Sequence, residues 1–309
     1  MATIRVDLDT IQTTTAKALE AHGAKPWIAN SVAHAVRVAE AHDNKICGLF
    51  YLQSYCSQLI TGRVNGNVEP EVHQPKPASV VVDAKLGFAQ AAFSRGLDTA
   101  LLAAKTNGVA TLAICHSHTC TSMGYFTEQI ARAGYIAIGM TNAKSCVSPP
   151  GGTKAVLGTN PIAMSVPDGK GALAMQFDQS TTTVALGKIT MAKAAGTSIP
   201  EGWAVDKDGN PTTDPEAALA GSLVSMGGYK GWGLGLMAEI LAAGMTLTLR
   251  VLTRGELERD AKSYAARLTQ ELGPVYLKQG KEDFQKLAAL RVLFSEGRAT
   301  VILMVDPKG

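Results

Sequence analysis

Residues 109–141 of this chain, VATLAICHSHTCTSMGYFTEQIARAGYIAIGMT, decide the fold class. The short apolar runs at 109–115 and 135–141 have the length and composition of buried strands. Between them, 122–134 is predicted to be a helix that follows a polar loop. A strand, a loop, a helix and a second strand in succession predict an α/β (α+β) fold, in which helices cover a sheet.

Upstream of this stretch the chain is predicted to be mostly helical. Aspartate commonly caps the start of a helix and glycine commonly ends one. Asp7 and Gly23 therefore delimit the first predicted helix. Proline fits the first turn of a helix, so Pro26 marks the start of the second. With a third helix before the sheet, the predicted segments are 7–23, 25–42 and 50–62.

Two domains are predicted from the order of these elements. A strand at 78–84 and a long helix at 87–108 connect the early helices to the opening stretch. After residue 247 the chain becomes charged and helical, and it closes on a strand. The predicted domains are a mostly helical N-terminal domain of 1–75, joined by helices at 250–296, and an α/β domain of 76–249 with the closing strand 299–306.

The composition is that of a globular chain. Of its residues, 46% are hydrophobic and 18% are charged. Its length of 309 residues is enough for one large or two modest domains. The formal net charge of +3 is spread over interleaved acids and bases, so no nucleic-acid partner is expected. The N-terminus lacks an apolar signal segment, and the apolar run 234–247 contains Glu239 and is too short to span a bilayer. We expect no membrane partner, and the 5 cysteines without framework spacing favour reduced thiols in the cytoplasm.

The strand at 109–115 runs directly into Cys-His-Ser-His-Thr-Cys at 115–120, for which three interpretations are open. In an extended segment His116, His118 and Cys120 would share one side, as in a metal clamp. Zinc ligands usually come in two spaced pairs, however, and no second CxxC or HxxxH pair is present. A polar strand end without function is the second interpretation. The third is a catalytic loop, because α/β enzymes place reacting groups where strands end and histidine exchanges protons near neutral pH.

Two other features have both a functional and a structural interpretation. The segment 227–233, GGYKGWG, offers backbone N–H groups, Lys230 and a helix N-terminus, which suit a phosphate, but a tight packing turn explains it equally well. It lacks the strand-linked G-x-G-x-x-G pattern of Rossmann domains. Asp178 follows an apolar strand, where it could orient a histidine, face a substrate or cap the next helix.

Taken together, several motifs resemble the malate/L-lactate/sulfolactate dehydrogenase family, which also includes ureidoglycolate dehydrogenase and the Δ1-piperideine- and Δ1-pyrroline-2-carboxylate reductases. The motifs that carry the resemblance are HSHTCTSMGYFTEQIARAGYIAIGMTNA (116–143), LGTNPIAMSVP (157–167), FDQSTTTVALGKI (177–189), IPEGWAVDKDGNPTTDPEAAL (199–219) and GGYKGWGLGLMAEILAA (227–243). The resemblance implies a non-Rossmann nicotinamide-binding α/β domain with a mostly helical N-terminal domain, assembled as a homodimer. It also implies NAD or NADP as cofactor, which the sequence does not distinguish.

The resemblance implies roles for single residues as well. His118, followed by Gly124 and Tyr125 of the same motif, corresponds to the proton donor and acceptor, and Asp178 is assigned as a second catalytic residue that also touches the cofactor. Lys230 and the Gly-Thr-Asn turn would hold the cofactor phosphates. The implied cofactor-binding residues are Thr141, Asn142, Ala143, Thr159, Asn160, Asp178, Gln179, Ser180 and Lys230.

The sequence departs from the family pattern in two places, the first of which affects the expected substrate. Where the family carries Ser-His-Gly-x-x-Arg, this chain has ICGLFY, so that Ile46, Cys47 and Tyr51 replace Ser, His and Arg. Tyrosine cannot reproduce the bidentate carboxylate binding of arginine, and Lys45 is the nearest cation. Cys47, Tyr51 and Lys45 are therefore the predicted substrate-binding residues. The second departure is the tail, since 247–295 does not resemble the family.

The prediction is an NAD(P)-dependent oxidoreductase that transfers a hydride between the cofactor and a small-molecule substrate. That substrate is a 2-oxo or 2-hydroxy acid, or a cyclic 2-imino acid, for which the bulkier and less acidic lining by Ile46, Cys47 and Tyr51 is better suited. One alternative is a degenerate family member that binds a nucleotide or metabolite without turnover. Another is a metal-dependent enzyme built on residues 115–120, although no metal site is predicted.

Overall fold

The computed structural model describes residues 5–118, 120–246 and 298–307. Its contacts divide the chain into two compact units. Unit 1 comprises Met1–Gly139, Ala163–Asp178 and Gly297–Gly309, and unit 2 comprises Met140–Ile162 and Gln179–Glu296. The domain boundary predicted at residue 75 stays a prediction, and the helices predicted at 250–296 lie outside the described residues.

The described elements alternate along most of the chain. The helices are α1 (Leu8–Ala21), α2 (Pro26–Ala41), a 3₁₀ turn (Leu49–Tyr51), α3 (Leu52–Ile60), α4 (Ala89–Asn107), α5 (Gly124–Arg132), α6 (Leu186–Ala195), α7 (Pro215–Ala220) and α8 (Tyr229–Met245). The strands are β1 (Glu71–Lys76), β2 (Ser79–Asp83), β3 (Val109–Ser117), β4 (Ile136–Thr141), β5 (Ile162–Pro167), β6 (Leu173–Gln179), β7 (Ala204–Val205), β8 (Pro211–Thr212), β9 (Ser222–Leu223) and β10 (Arg298–Val305).

The N-terminal helices form where the sequence predicts them. The Asp7 side chain accepts a hydrogen bond from the N–H of Thr10 over 2.7 Å, so Asp7 caps α1 as expected. Pro26 is the first residue of α2. The apolar faces of α1, α2 and α3 share one core. Ala91 of α4, and Phe88 directly before α4, complete this core. The N-terminal helices therefore belong to the same unit as the sheet.

Unit 1 is built on a seven-stranded sheet with the order β1-β2-β3-β10-β4-β5-β6. β2 and β3 are parallel, whereas β10 is antiparallel to β3, so the sheet is mixed. Val82 and Ile114 lie on the face that α4 and α5 cover, in a core with Phe93 and Phe126. The sheet with helices packed on it confirms the predicted α/β (α+β) class.

Unit 2 contains a three-stranded sheet of order β8-β7-β9 and helices α6, α7 and α8. Its core includes Leu157, Ile189, Ala204 and Leu223. Loops that are rich in glycine, proline and threonine connect these short elements, as the sequence predicts. Within the described residues, no helix has the length and apolar character required to cross a bilayer.

The structure corrects two local expectations. Asp178 does not cap the next helix, because α6 begins at Leu186 and Ala185 occupies its cap position. The segment around His116 is not fully extended, since His116 has a φ of 48°. The alternation that would place His116, His118 and Cys120 on one side is therefore broken by a left-handed residue.

Candidate active site

His118 is held at the carboxyl end of β3 by backbone hydrogen bonds to the start of α4. Its N–H donates to the carbonyl of Gly87 over 2.9 Å, and its own carbonyl accepts from the N–H of Ala89 over 3.2 Å. The side chain is partly accessible to solvent. This position, at the end of a buried strand, is the one predicted from the sequence. The role of His118 in proton transfer stays a prediction.

Tyr55 connects α3 to the loop after His118. Its side chain is fully buried, and its hydroxyl donates to Oγ1 of Thr121 over 3.2 Å. The ring of Tyr51 lies one helical turn away, with ring centroids 6.1 Å apart. Burial raises the pKa of Tyr55, so the phenol stays protonated and remains a donor. The contact joins the loop at Thr121 to α3, which directly follows Tyr51.

The thiol of Cys47, a predicted substrate-binding residue, is uncharged. Burial raises the pKa of its thiol to about 12, and the negative charge of Asp178 acts in the same direction. The thiol is therefore uncharged near neutral pH and is suited to line a pocket rather than to act as a nucleophile. Its electrostatic interaction with Asp178 places a predicted substrate-binding residue near a predicted catalytic one.

Lys45 interacts with a different group. Its ammonium nitrogen lies 3.2 Å from a carboxylate oxygen of Asp43, and both side chains are exposed. Exposed ion pairs of this kind contribute little to stability, so Lys45 could exchange this partner for another. Its role in substrate binding stays a prediction.

Asp178 anchors the start of α5. Its Oδ2 accepts from the N–H of Gly124 and from the hydroxyl of Ser122, each over 2.8 Å. Although the residue is exposed to solvent, protein atoms crowd its carboxyl group, and the resulting desolvation raises its pKa. The two hydrogen bonds lower the pKa and so oppose this effect. Asp178 thereby holds the loop that connects His118 to α5, which is one way to position the imidazole.

Unit 2 brings the predicted cofactor-binding segments together. The N–H of Ala143 donates to Oδ1 of Asn160 over 3.0 Å, which joins the Thr-Asn-Ala segment to the Gly-Thr-Asn turn. The carbonyl of Thr159 accepts from both the N–H and the hydroxyl of Thr181, over 2.9 and 3.0 Å. Thr181 directly follows the predicted residues Gln179 and Ser180. Three segments that are distant in the sequence therefore form one hydrogen-bonded cluster. Thr141 and Asn142 belong to the first of these segments, because they directly precede Ala143.

Gly158 allows the first two of these segments to approach closely. A Cβ at this position would lie 2.4 Å from the carbonyl oxygen of Ala143. The backbone of Ala143 cannot move away without breaking its hydrogen bond to Asn160. A side chain on residue 158 is therefore excluded by backbone contact, and the turn requires glycine for steric reasons.

Glu239 lies buried beneath this cluster. Its Oε2 accepts from Nδ2 of Asn160 over 2.9 Å, and its Oε1 accepts from Nδ2 of Asn142 over 3.3 Å. Asn160 also donates to the carbonyl of Gly235 in α8 over 2.9 Å, so its amide is fully hydrogen-bonded. A single carboxylate in α8 thus fixes one asparagine in each of two predicted cofactor-binding segments.

The N-terminus of α8 has the properties required to bind a phosphate group. Gly227 and Gly228 have φ values of 59° and 64°, and a Cβ at either position would meet no atom within 4 Å, so space is open beside this backbone. The first N–H groups of a helix lack acceptors within the helix and favour anions. Lys230, in the first turn of α8, is exposed and adds a positive charge. These features suit a phosphate group, and the role of Lys230 in cofactor binding stays a prediction.

Tyr55, Thr121 and Glu239 contact predicted site residues or the loop after His118, but they are not among the residues predicted from the sequence. Tyr55 lies four residues after Tyr51, which is the spacing of one helix face, so its proximity could have been inferred. Glu239 is the one charged residue in the run 234–247, and a lone charge in an apolar helix indicates a buried, paired group. No local signal predicts the contact of Thr121 with Tyr55, because it depends on tertiary packing.

Comparisons with known proteins identify the family to which the chain belongs. The sequence model of the malate/L-lactate dehydrogenase family matches residues 6–271, so the similarity extends past residue 247, where the sequence was expected to depart from the family. The chain is 40% identical to a (2R)-3-sulfolactate dehydrogenase (NADP(+)) of Chromohalobacter salexigens over 78% of this chain and 72% of that protein. It is 36% identical to a Δ1-pyrroline-2-carboxylate/Δ1-piperideine-2-carboxylate reductase of Pseudomonas putida, over 79% of this chain and 71% of that protein.

A solved structure shares the fold as well. The crystal structure of Δ1-piperideine-2-carboxylate reductase from Pseudomonas syringae pvar. tomato superposes with a TM-score of 0.79 and 28% sequence identity, covering 99% of this chain and 83% of that one. These relatives are dehydrogenases and reductases, so the predicted enzyme class, an NAD(P)-dependent oxidoreductase, is confirmed. With the family model spanning most of its length, the chain belongs to the malate/L-lactate dehydrogenase family.

Proposed function

We propose that this chain reduces cyclic 2-imino acids in preference to 2-oxo acids, and that His118 donates the proton to the substrate nitrogen. The observation that carries the preference is the neutral side-chain group formed by Cys47, Tyr51 and Tyr55. A cyclic imino acid presents an apolar ring and one carboxylate, whereas pyruvate lacks the ring and a dicarboxylic or sulfonated 2-oxo acid presents two anions. Burying a second anion against neutral side chains is unfavourable without a paired cation.

The residues of this chain have separate tasks in the proposed reaction. A bound nicotinamide supplies the hydride that reduces the C=N or C=O carbon and accepts it in the reverse direction. The His118 imidazole gives a proton to the heteroatom as the new C–H bond forms, and takes that proton back in oxidation. Asp178 holds the loop after His118, and the neutral Cys47 and Tyr51 contact the substrate ring. Lys230 and the N–H groups at the start of α8 would hold the cofactor phosphates.

Parallel assays with pyruvate, oxaloacetate and Δ1-piperideine-2-carboxylate test the proposal. We expect kcat/KM for the cyclic imino acid to exceed that for either 2-oxo acid by at least about tenfold, which corresponds to about 1.4 kcal/mol of transition-state binding. NADH and NADPH are compared in each assay. A higher kcat/KM with oxaloacetate would contradict the substrate preference, and cofactor consumption with none of the three would contradict the reaction.

The missing arginine provides a second prediction. We expect Tyr51→Arg to lower KM for pyruvate and oxaloacetate by about tenfold or more, since a charge-assisted hydrogen bond contributes about 1.5–3 kcal/mol. Tyr51→Lys is the matched control, because it adds the same charge without the planar fork that binds a carboxylate bidentately. A gain from arginine that exceeds the gain from lysine supports a carboxylate beside residue 51. Equal gains, or none, would place the carboxylate elsewhere.

We also propose that the enzyme is a cytoplasmic homodimer. All five cysteines are free thiols, which favours a reducing compartment. The homodimer is an expectation from the family, and light scattering of the purified protein measures it directly. A mass of about one chain, with NADPH or NADH present, would exclude the dimer.

A further inference from the structure

The sequence segment 115–120 contains a feature that the proposed reaction does not use. His116 is one of the few residues other than glycine with a positive φ, at 48°. Such a conformation costs on the order of 1–3 kcal/mol for a residue with a side chain, so it persists only where neighbouring contacts stabilise it. The contact that accompanies it here is between Nδ1 of His116 and Oδ1 of Asp83, over 2.9 Å.

The sheet register explains how three side chains meet at this point. Asp83 and Cys115 are direct partners on the parallel strands β2 and β3, so their side chains lie on the same face of the sheet. His116, the next residue along β3, would normally point to the opposite face. Its left-handed backbone interrupts that alternation and brings its ring to Asp83. One potential ligand atom from each of Asp83, Cys115 and His116 therefore lies within 4.8 Å of the other two.

We propose that Asp83, Cys115 and His116 form a binding site for a thiophilic divalent cation of the zinc class. The donor set is one carboxylate oxygen, one sulfur and one imidazole nitrogen, a combination that zinc accepts and that magnesium and calcium do not. Three protein ligands leave the fourth tetrahedral position to water. The family assignment and the proposed hydride transfer do not involve this cation, so the site is independent of both.

The distances and surroundings are compatible with a metal ion. Metal–ligand bonds of about 2.0–2.3 Å in a tetrahedral site place ligand atoms roughly 3.3–3.8 Å apart. The Asp83 and His116 atoms would separate by about half an ångström from their present hydrogen bond, which side-chain rotation accommodates. The side chains of His116 and Asp83 are 30% and 25% exposed, which provides an entry path, whereas Cys115 is buried.

Two backbone interactions hold the ligands in place. The N–H of Lys85 donates to Oδ1 of Asp83 over 2.8 Å, which fixes the orientation of the carboxylate. The N–H of Leu86 donates to the carbonyl of His116 over 2.8 Å, which fixes the strand end. Support of this kind for metal ligands typically changes metal affinity by about 10–100-fold. The Cys115 thiol donates to the carbonyl of Val82 over 3.6 Å, so metal binding would replace this hydrogen bond and draw the sulfur toward the other two ligands.

Cobalt(II) titration of the metal-free full-length protein tests the site, because Co²⁺ substitutes for Zn²⁺ and a cobalt–thiolate bond produces a charge-transfer absorption. We expect one Co²⁺ per chain with this absorption, and its loss when Zn²⁺ is added. Cys115→Ser is expected to abolish the absorption. His116→Asn is expected to weaken binding by about 100-fold or more, since it removes a direct ligand rather than a supporting residue.

Matched variants separate metal binding from folding. Asparagine is among the residues that best tolerate a positive φ, so His116→Asn should keep the strand end intact. Cys146→Ser removes a thiol in unit 2 and should leave the titration unchanged. Zn²⁺ should raise the melting temperature of the wild-type protein and of Cys146→Ser, but not that of Cys115→Ser or His116→Asn. Absence of cobalt–thiolate absorption in the wild type, or its persistence in Cys115→Ser, would overturn the proposal.

Discussion

Replacing His118 by alanine is expected to lower kcat by about 10²–10⁴-fold, the range typical for loss of a general acid or base. This corresponds to roughly 2.7–5.4 kcal/mol of activation free energy. The physical reason is that reduction of C=N or C=O places negative charge on the heteroatom unless a proton arrives as the hydride does. Bulk water is a poor proton donor at neutral pH, so the variant reacts slowly even when both substrate and cofactor are bound.

Three controls distinguish this role from a structural one. The dissociation constant for NADPH or NADH should change by less than about twofold, because the lost free energy belongs to the transition state rather than to the ground state. Added imidazole should restore part of the rate of His118→Ala by supplying the missing proton donor. His73→Asn, at an exposed histidine of β1, should keep the wild-type rate. Full activity of His118→Ala would contradict the assignment.

The position of His118 was predictable because it depends on local information. A run of short apolar residues predicts β3, the first polar residues mark its end, and reacting groups of α/β enzymes are found at such ends. The same is true of Asp7 and Pro26, whose effects on helix starts involve only neighbouring residues. The predicted catalytic role of His118 does not follow from local structure. The family resemblance supplied that assignment.

Contacts between distant segments were not predictable in this way. The insertion of β10 between β3 and β4 depends on strand pairing across most of the chain, which a single sequence does not encode in its periodicity. The pairing of Asp83 with His116 depends on the parallel register of β2 and β3 and on one left-handed residue. For the same reason, nothing in the sequence indicated Asp83, on the neighbouring strand, as a third ligand of the proposed metal site.

Replacing Glu239 by leucine is expected to lower the free energy of unfolding by about 2–4 kcal/mol and to raise KM for the cofactor by tenfold or more. The substitution removes the carboxylate that accepts from one amide N–H of Asn160 and one of Asn142, and loss of a buried hydrogen-bond acceptor costs about 1–3 kcal/mol. Because Asn160 also accepts from the N–H of Ala143, its displacement would shift both predicted cofactor-binding segments. Denaturant unfolding and initial rates at varied NADPH or NADH measure the two effects.

The conservative variant Glu239→Gln identifies which property of the side chain matters. Glutamine keeps one oxygen, so it can still accept from Asn160, but its amide group then faces the amide donor of Asn142. We therefore expect Glu239→Gln to lie between the wild type and Glu239→Leu in both stability and cofactor KM, with kcat at saturating cofactor nearly unchanged. Glu201→Gln, which removes an exposed carboxylate of unit 2, should alter neither quantity.

If Glu239→Leu loses stability but keeps the wild-type cofactor KM, then Glu239 supports the core of unit 2 alone, and Asn142 and Ala143 do not bind the cofactor. If instead kcat falls while KM is unchanged, the cluster around Asn160 acts in the chemical step rather than in cofactor binding.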